Sequence, residues 1–220
     1  MKAFGNELLN TLYAQGLAED IIAILVRCCK KMKADALDNT LLPNHEVKIT
    51  NRLFHSYLEN EHVYKLFHFQ LQTPENYNPE TDLYAGIGDI SVTPWNMLSI
   101  PRAYFLIECK RIDGSHSLNE KYVKEGIQRF VGSSPKYISY YGRSIMLGYV
   151  VSSIDIPENT ITIGNLQAKL LVGASADALL LIWHNSEWYV YSSKSTSEGT
   201  ASLVLDHLFY DFSGAVEATA

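Results

Sequence analysis

The stretch "GIGDISVTPWNMLSIPRAYFLIECKR", residues 86–111, contains the strand that decides the fold. Its second half, "AYFLIECKRI" (103–112), is almost entirely apolar, which is typical of a central strand covered on both faces. Side chains alternate across a strand, so Glu108 and Lys110 point to one face and Cys109 to the other. Because burying a lone carboxylate or ammonium is expensive, this pair predicts a charged partner or a metal ion on that face.

Asp89 opens "DISVT", the predicted strand that precedes this one. If the two strands are antiparallel, Asp89 lies beside Glu108. Two neighbouring carboxylates suit Mg²⁺, which is often bound by one or two carboxylates and keeps its other positions for water and phosphate. Lys110 would then orient the attacking water and offset the developing charge. The structural alternative is a turn aspartate at Asp89 and a plain ion pair between Glu108 and Lys110.

The hydrophobic pattern around this stretch switches between helical and extended segments. We predict helices over 5–34 with a candidate break at Gly16, over about 46–61 with Asn44 as N-cap, and over 117–131 with Ser117 or Asn119 near its cap. We predict a loop over 74–88 and strands over 64–73, 89–93, 103–112, 144–152, 177–185 and 187–195. Segment 159–173 is ambiguous, and 202–212 fits either a closing helix or a strand. This order predicts an α/β fold with a mixed central β-sheet flanked by helices.

The composition is that of a globular protein with a sizeable core. The chain has 220 residues, of which 47% are hydrophobic and 19% charged. We predict an α/β domain over 44–212, an N-terminal helical extension over 1–43 that packs on it, and a flexible tail over 213–220.

The charge is unevenly distributed along the chain. The whole chain carries -6, whereas 102–143 holds eight Lys or Arg and only four Asp or Glu. A basic segment on an acidic protein favours a surface that meets phosphate, and its alternative is a solvated helix face. Lys121, Lys124 and Arg129 are the candidate phosphate contacts.

The cysteines and the N-terminus bear on location. The three cysteines form no CxxC motif, and their odd number gives no disulfide framework, which fits a reducing cytoplasm. The N-terminus lacks a basic segment followed by an apolar run, so we predict no signal peptide. No run of eighteen apolar residues occurs, so we expect no membrane partner.

The pattern "GD…ECK" resembles the PD-(D/E)XK nuclease superfamily, whose fold is restriction-endonuclease-like. In that superfamily an Asp and a following (D/E)-X-K strand ligate Mg²⁺ and activate water, and Asp89, Glu108 and Lys110 match those positions. Gly88 stands where the motif has Pro. The resemblance implies a polar residue on the next helix directed at the site, for which Gln128 is the candidate, supported by Glu125. It also implies an acidic residue on an earlier helix, for which Glu46 is the candidate metal ligand, through water.

The resemblance extends over about residues 44–151 and implies a function. We expect a nuclease that depends on Mg²⁺, with Mn²⁺ as an alternative, and hydrolyses phosphodiester bonds, as a DNA endonuclease in bacterial restriction or antiphage defence. The acidic bulk of the chain predicts that a partner subunit or a homo-oligomer supplies part of the DNA affinity. The alternative is a catalytically silent binding or assembly subunit with the same fold.

Overall fold

The computed structural model describes residues 4–61, 66–197 and 202–218. The helices are α1 (Phe4–Asp38), α2 (Glu46–Leu53), α3 (His116–Tyr122), α4 (Gln128–Phe130) and α5 (Ile156–Leu170). A π-helical segment, Phe54–Leu58, extends α2, and a second one, Val123–Ile127, joins α3 to α4 as one continuous helix, called here the α3–α4 helix. None of the helices in these ranges is both long and apolar enough to span a bilayer.

The strands of the described chain form one mixed sheet. They are β1 (Phe67–Asn78), β2 (Leu83–Pro94), β3 (Phe105–Ile112), β4 (Arg143–Val150), β5 (Ala174–Ala176), β6 (Leu180–His184), β7 (Trp188–Ser197) and β8 (Leu203–Asp211). Their order is β1-β2-β3-β4-β8-β7-β5, and β6 also pairs with β7. The central strands β3, β4 and β8 are parallel, whereas the outer pairs are antiparallel. The predicted α/β class, with helices around a mixed sheet, is confirmed.

Alternation along β3 supplies two hydrophobic cores, one on each face of the sheet. Ile107 and Cys109 belong to the core that contains α1 and α2. Leu106 and Ile112 belong to the core that contains the α3–α4 helix and α5. Each fully buried Leu or Ile contributes about 1.5–3 kcal/mol, so β3 is fixed from both sides. In α1 the predicted break is wrong, because the helix runs through Gly16, which is exposed.

The long hairpin of β1 and β2 replaces most of the predicted loop over 74–88. The two strands pair from Phe67 and Pro94 to Asn78 and Leu83, so the loop prediction is wrong except at 79–82. β1 is an edge strand of the sheet, and an edge strand tolerates Pro74 because one side of its backbone has no ladder to lose. Residues 64 and 65 of the predicted strand lie outside the described ranges.

The helix caps differ from the predicted ones. His45, not Asn44, precedes α2, and no side chain caps that helix. Ser115 caps α3, its Oγ accepting from the Leu118 N–H at 3.3 Å, so the cap lies two residues before Ser117 and four before Asn119. Capping side chains act from the residue before the first helical one, which places each predicted cap one or more positions off.

The segments left open by the sequence are now assigned. Residues 159–170 lie in α5, which begins after Asp155, and 203–211 form β8. Ala215 and Val216 are buried, and Val216 forms a bridge with Leu42. The predicted flexible tail is therefore wrong for these two residues, which pack on the core. Residues 219 and 220 lie outside the described ranges.

A neutral histidine is buried on β8. His207 is fully buried, with Nδ1 3.0 Å from the Tyr122 hydroxyl and Nε2 2.9 Å from Ser193 Oγ. Burial lowers the pKa of His207 to about 3. Its unfolded value is about 6.5, so below pH 6.5 the unfolded chain binds the extra proton. The stability that the neutral ring provides is complete above about pH 6.5 and is lost progressively down to pH 3.

We expect His207→Gln to remove this pH dependence. For wild type, the His207 contribution falls by about 2 kcal/mol between pH 7 and pH 5, since each pH unit below the unfolded pKa costs up to about 1.36 kcal/mol. The variant should be less stable at pH 8, and the gap to wild type should narrow by that amount at pH 5. Urea unfolding of both proteins at the two pH values measures the gap. A gap independent of pH would contradict the assignment of His207 as a buried neutral ring.

Candidate active site

Glu108 is the centre of the candidate site. It is fully buried on β3, and its side chain faces the α3–α4 helix. β2 and β3 are antiparallel, with Ile90 opposite Ile107. The same register, continued by one residue, puts Asp89 opposite Glu108, as the antiparallel arrangement required. The two carboxylates thus come from neighbouring strands and share a face of the sheet.

The backbone around Asp89 departs from a regular ladder. Leu71 pairs with Ile90 and Thr73 with Gly88, but the pair between them is interrupted, and Gln72 has a φ of 54°. Positive φ is uncommon outside glycine, and such residues concentrate at functional sites. Asp89 is half-buried, and its Oδ2 accepts a 2.7 Å hydrogen bond from the Cys109 N–H. The side chain of Asp89 thus bonds to β3 beside Glu108.

Lys110 joins carboxylates from two elements, β3 and α2. Its Nζ lies 2.9 Å from Glu108 Oε1 and 3.0 Å from Glu46 Oε1, and it donates to the Cys109 carbonyl at 3.0 Å. Burial lowers the pKa of Lys110, but Glu108, Glu46 and Asp89 outweigh burial and hold that pKa above its ordinary value. Lys110 therefore stays charged at neutral pH, next to the carboxylates of Glu108 and Glu46.

Glu46 lies on α2, which packs on the face of the sheet opposite to the α3–α4 helix. It is the first residue of α2, and its Oε2 accepts from the Arg111 N–H at 3.2 Å. The Glu46 side chain is 32% exposed, whereas that of Lys110 is 7% exposed. Glu46 is thus more accessible to solvent than Glu108 or Lys110. Glu46 is the acidic residue expected on a helix before the strands, and its carboxylate contacts Lys110.

Arg129 and Tyr137 close over Glu108. Arg129 Nη1 lies 2.8 Å from Glu108 Oε1 and donates to the Tyr137 hydroxyl at 2.6 Å. That hydroxyl lies 2.9 Å from Glu108 Oε2 and 2.8 Å from the Ile87 carbonyl, and its single proton serves one of them at a time. Tyr137 is only 2% exposed. Sequence reasoning gave Arg129 a surface role and missed Tyr137.

Gln128 is not brought to the site. Its Nε2 donates to the carbonyls of Val131 and Val172, at 3.0 and 3.1 Å, and its Oε1 accepts from the Val172 N–H at 2.8 Å. These bonds tie the end of the α3–α4 helix to the segment after α5. Glu125, its expected companion, is exposed. The structure thus gives Gln128 an anchoring contact in place of the predicted catalytic one.

Close packing of the α3–α4 helix on β3 brings Arg129 within reach of Glu108. A Cβ on Gly126 would lie 3.5 Å from Lys110 Cγ and 2.5 Å from Met146 Cε, closer than carbon atoms approach. Glycine therefore lets the helix lie against the stem of Lys110. The other predicted phosphate contacts, Lys121 and Lys124, are exposed on the same helix, and Lys124 Nζ lies 2.5 Å from Glu120 Oε1.

The electrostatics of Glu108 fit a cation ligand. Burial, followed by the charge of Asp89, raises the pKa of Glu108 to about 7, against the opposing effect of Lys110 and Arg129. Lys110 Nζ and Arg129 Nη1 lie 2.9 and 2.8 Å from Glu108 Oε1, so cations already meet this buried oxygen in the free protein. A metal ion would take the place of one of them.

The donor set suits a hard cation with few protein ligands. In residues 4–61, 66–197 and 202–218, no group of three or more His, Cys, Asp or Glu is arranged to hold a metal ion. Oxygen donors favour Mg²⁺ or Mn²⁺ over softer metals, and Mg²⁺ is commonly held by only one or two carboxylates. Asp89 and Glu108 fit that pattern, with Glu46 close to Lys110.

Comparison with known proteins leaves the function to be argued from these residues. The resemblance to the PD-(D/E)XK superfamily rests on Asp89, Glu108 and Lys110 themselves. Their meeting on two antiparallel strands is a property of this chain and does not establish common descent. No family model matches the chain, and no curated protein or solved structure does so either.

Proposed function

We propose that this protein is a metal-dependent nuclease that uses Mg²⁺, or Mn²⁺ in its place, to hydrolyse phosphodiester bonds, with DNA as its first substrate. One observation carries the proposal. Glu46, Asp89, Glu108 and Lys110 converge from α2, β2 and β3 around a buried carboxylate. A simple ion pair on an apolar strand requires no second and third carboxylate, whereas metal-assisted phosphate chemistry uses them.

Each residue has a chemical role in this proposal. Asp89 and Glu108 would hold the metal ion, and Glu46 would contact it through water. When bound, Mg²⁺ supplies charge neutralisation at the phosphate and favours ionisation of the attacking water. Lys110 keeps its proton, orients that water and offsets the negative charge that develops on the phosphate. The Cys109 N–H holds Asp89 in place through the 2.7 Å hydrogen bond.

The charge distribution supports a shared DNA-binding surface. Segment 102–143, which contains Glu108 and Lys110, carries four more basic than acidic residues, whereas the whole chain carries -6. Backbone phosphates dominate the affinity of proteins for DNA, so an acidic chain binds DNA weakly outside a basic patch. A partner subunit or a second copy of this chain supplies the remaining contacts in our proposal.

A catalytically silent binding or assembly module is the second candidate. It is favoured by the complete burial of Glu108, whose oxygens Lys110, Arg129 and Tyr137 already contact. A buried network of this kind can serve to specify the fold alone. The two candidates differ in whether the protein binds metal ions and cleaves nucleic acid.

Lys110→Met is expected to abolish metal-dependent cleavage. The substitution keeps the apolar stem that packs on Gly126 and removes the charge. We expect a rate loss of about 10²–10³-fold, the range for removal of one transition-state contact. The assay combines supercoiled plasmid and labelled linear single- and double-stranded DNA and RNA with Mg²⁺, Mn²⁺ or EDTA. Plasmid nicking would show an endonuclease, and shortening from the ends an exonuclease.

The matched control for this experiment is Lys194→Ala. Lys194 is an exposed lysine on β7, and its variant should cut at the wild-type rate. Melting curves of both variants establish that they are folded at the assay temperature. Absence of cleavage on every substrate, together with no stabilisation by Mg²⁺ or Mn²⁺, would favour the silent module.

A further inference from the structure

In the free protein two cations contact the central carboxylate, since Arg129 Nη1 and Lys110 Nζ lie 2.8 and 2.9 Å from Glu108 Oε1. Arg129 Nη1 contacts both Glu108 Oε1 and the Tyr137 hydroxyl, at 2.8 and 2.6 Å. A guanidinium is always charged at the pH values of interest. A metal ion at Glu108 Oε1 would therefore lie beside a fixed positive charge and be repelled by it. Movement of Arg129 away from Glu108 would remove one of the two cations at this oxygen and so favour binding of the metal.

Arg129 also lines a cavity that is rich in cationic side chains. Its volume is about 500 Å³. Its lining combines three cations, the hydroxyl groups of two serines and a single carboxylate, which are Lys124, Arg129, Lys136, Ser133, Ser134 and Glu125. Lys124 is paired with Glu120, but that pair is exposed and such pairs are weak. Lys136 is exposed and immediately precedes Tyr137 in the chain. Arg129 is thus common to the cavity and to Glu108.

We propose that Arg129 alternates between Glu108 and a backbone phosphate of the nucleic acid bound in this cavity, so that substrate binding opens Glu108 to the metal ion. This inference rests on the proposed function. The phosphate neighbours the one that is cut, because Arg129 reaches from the cavity to the candidate catalytic carboxylate. Guanidinium groups pair with phosphate through parallel hydrogen bonds, which offers Arg129 a partner as good as Glu108.

Tyr137 is the positioning residue of this arrangement. Its hydroxyl holds Arg129 and also lies 2.9 Å from Glu108 Oε2, so it keeps the two together in the free protein. Because the two ligands compete through one side chain, their binding is coupled. Coupling is reciprocal, so DNA must raise the affinity for metal by the factor by which metal raises the affinity for DNA.

The test titrates Ca²⁺ into the intact protein by isothermal calorimetry, with and without a 16-base-pair DNA duplex. Ca²⁺ takes oxygen ligands as Mg²⁺ does and leaves the duplex uncut for the measurement. For wild type we expect the duplex to lower the Kd for Ca²⁺ by about 10-fold or more, within the range of coupled sites. Arg129→Ala should bind Ca²⁺ about 10-fold tighter than wild type without DNA, and its Kd should be insensitive to DNA.

Two further variants separate this role from a structural one. Tyr137→Phe removes only the hydroxyl that holds Arg129 and should give an intermediate gain in Ca²⁺ affinity without DNA. Lys194→Ala, on an exposed part of β7, should match wild type in both titrations. If Arg129 served only to stabilise the fold, its removal would lower the melting temperature and would not raise the affinity for Ca²⁺.

The outcomes distinguish this inference from the proposed function. Equal Ca²⁺ affinity of wild type and Arg129→Ala, in a wild-type protein that cuts DNA with Mg²⁺, would overturn the inference and leave the nuclease proposal standing. If none of the proteins binds Ca²⁺ with or without DNA and wild type cuts nothing, both proposals fail. Tighter binding by Arg129→Ala without DNA supports the alternation of Arg129.

Discussion

Asp89→Asn is expected to abolish the stabilisation that Mg²⁺ or Mn²⁺ gives the folded protein. At a metal concentration 100 times the Kd, binding to the native state alone adds about 2.7 kcal/mol. For a chain of this size that is a rise of about 5–10 °C in melting temperature. Asn retains an oxygen that can accept the Cys109 N–H but lacks the charge, so the local fold persists while the metal ligand is lost. Thermal unfolding with and without metal measures the rise.

Asp89→Asn should lower the rate of cleavage as well as abolish the metal-dependent rise in melting temperature. We expect a loss of more than about 100-fold, since even residues that only orient metal ligands are worth 10–100-fold. Asp20→Asn is the control, because Asp20 is an exposed aspartate in the middle of α1 and its loss should change neither quantity. A rise in melting temperature that survives in Asp89→Asn would remove Asp89 from the metal site.

Arg143→Met is expected to destabilise the protein by about 3–5 kcal/mol, the usual cost of breaking a buried ion pair. Arg143 donates from Nε and Nη2 to the two oxygens of Asp206, at 2.5 and 2.8 Å, and Asp206 is only 3% exposed. Burial raises the pKa of Asp206, and the hydrogen bonds from Arg143 oppose that rise. Without Arg143 the Asp206 carboxylate would stay buried and unpaired. Chemical unfolding measures the loss of free energy.

A double variant tests the cause of this loss. Arg143→Met with Asp206→Leu replaces both charges by apolar groups and should recover most of the lost stability, because a buried ion pair and a well-packed apolar pair are often equivalent. The single variant should therefore be the least stable of the three proteins. If the double variant is as unstable as Arg143→Met alone, the loss comes from packing of the arginine stem and not from the unpaired carboxylate.

The central strand and its neighbour were predictable because they depend on local rules. The apolar run over 103–112 required a central position, and the period of two put Glu108 and Lys110 on one face. Antiparallel pairing then placed Asp89 opposite Glu108. These inferences need no knowledge of distant residues. The partners Glu46 and Arg129 come from helices, and their distance from Glu108 depends on how those helices pack.

The site contains Arg129 in place of Gln128. Gln128 was the residue that the resemblance implied, whereas Arg129 is the residue that contacts Glu108. The helix contains a π-helical turn at Val123–Ile127, and such a turn adds one residue and changes the direction of the side chains that follow it. Sequence patterns do not reveal a π turn. Tyr137 left no signal either, because it is one of fourteen tyrosines and lies in a connection between elements.

The start of α5 did leave a signal. Asp155 accepts from the Glu158 N–H at 2.9 Å and Pro157 lies in the first turn, an arrangement typical of a helix N-terminus. The segment 159–173 begins after these residues and contains neither helix-start signal, which is why its pattern is ambiguous. The prediction of a loop over 74–88 was wrong because Pro and Gly residues are strong turn signals, and here they lie in a hairpin whose edge strand accommodates them.

The parallel pairing of β4 with β8 has a consequence for the order of folding. Ser144 lies opposite Leu205, 61 positions along the chain, whereas the β1–β2 hairpin pairs neighbouring segments. Pairings between distant segments form slowly, because the loop between them must close before any contact rewards it. A local hairpin forms in about 1–10 μs. We therefore expect the β1–β2 hairpin, which carries Asp89, to form early in folding. The pairing of β4 with β8 should form late.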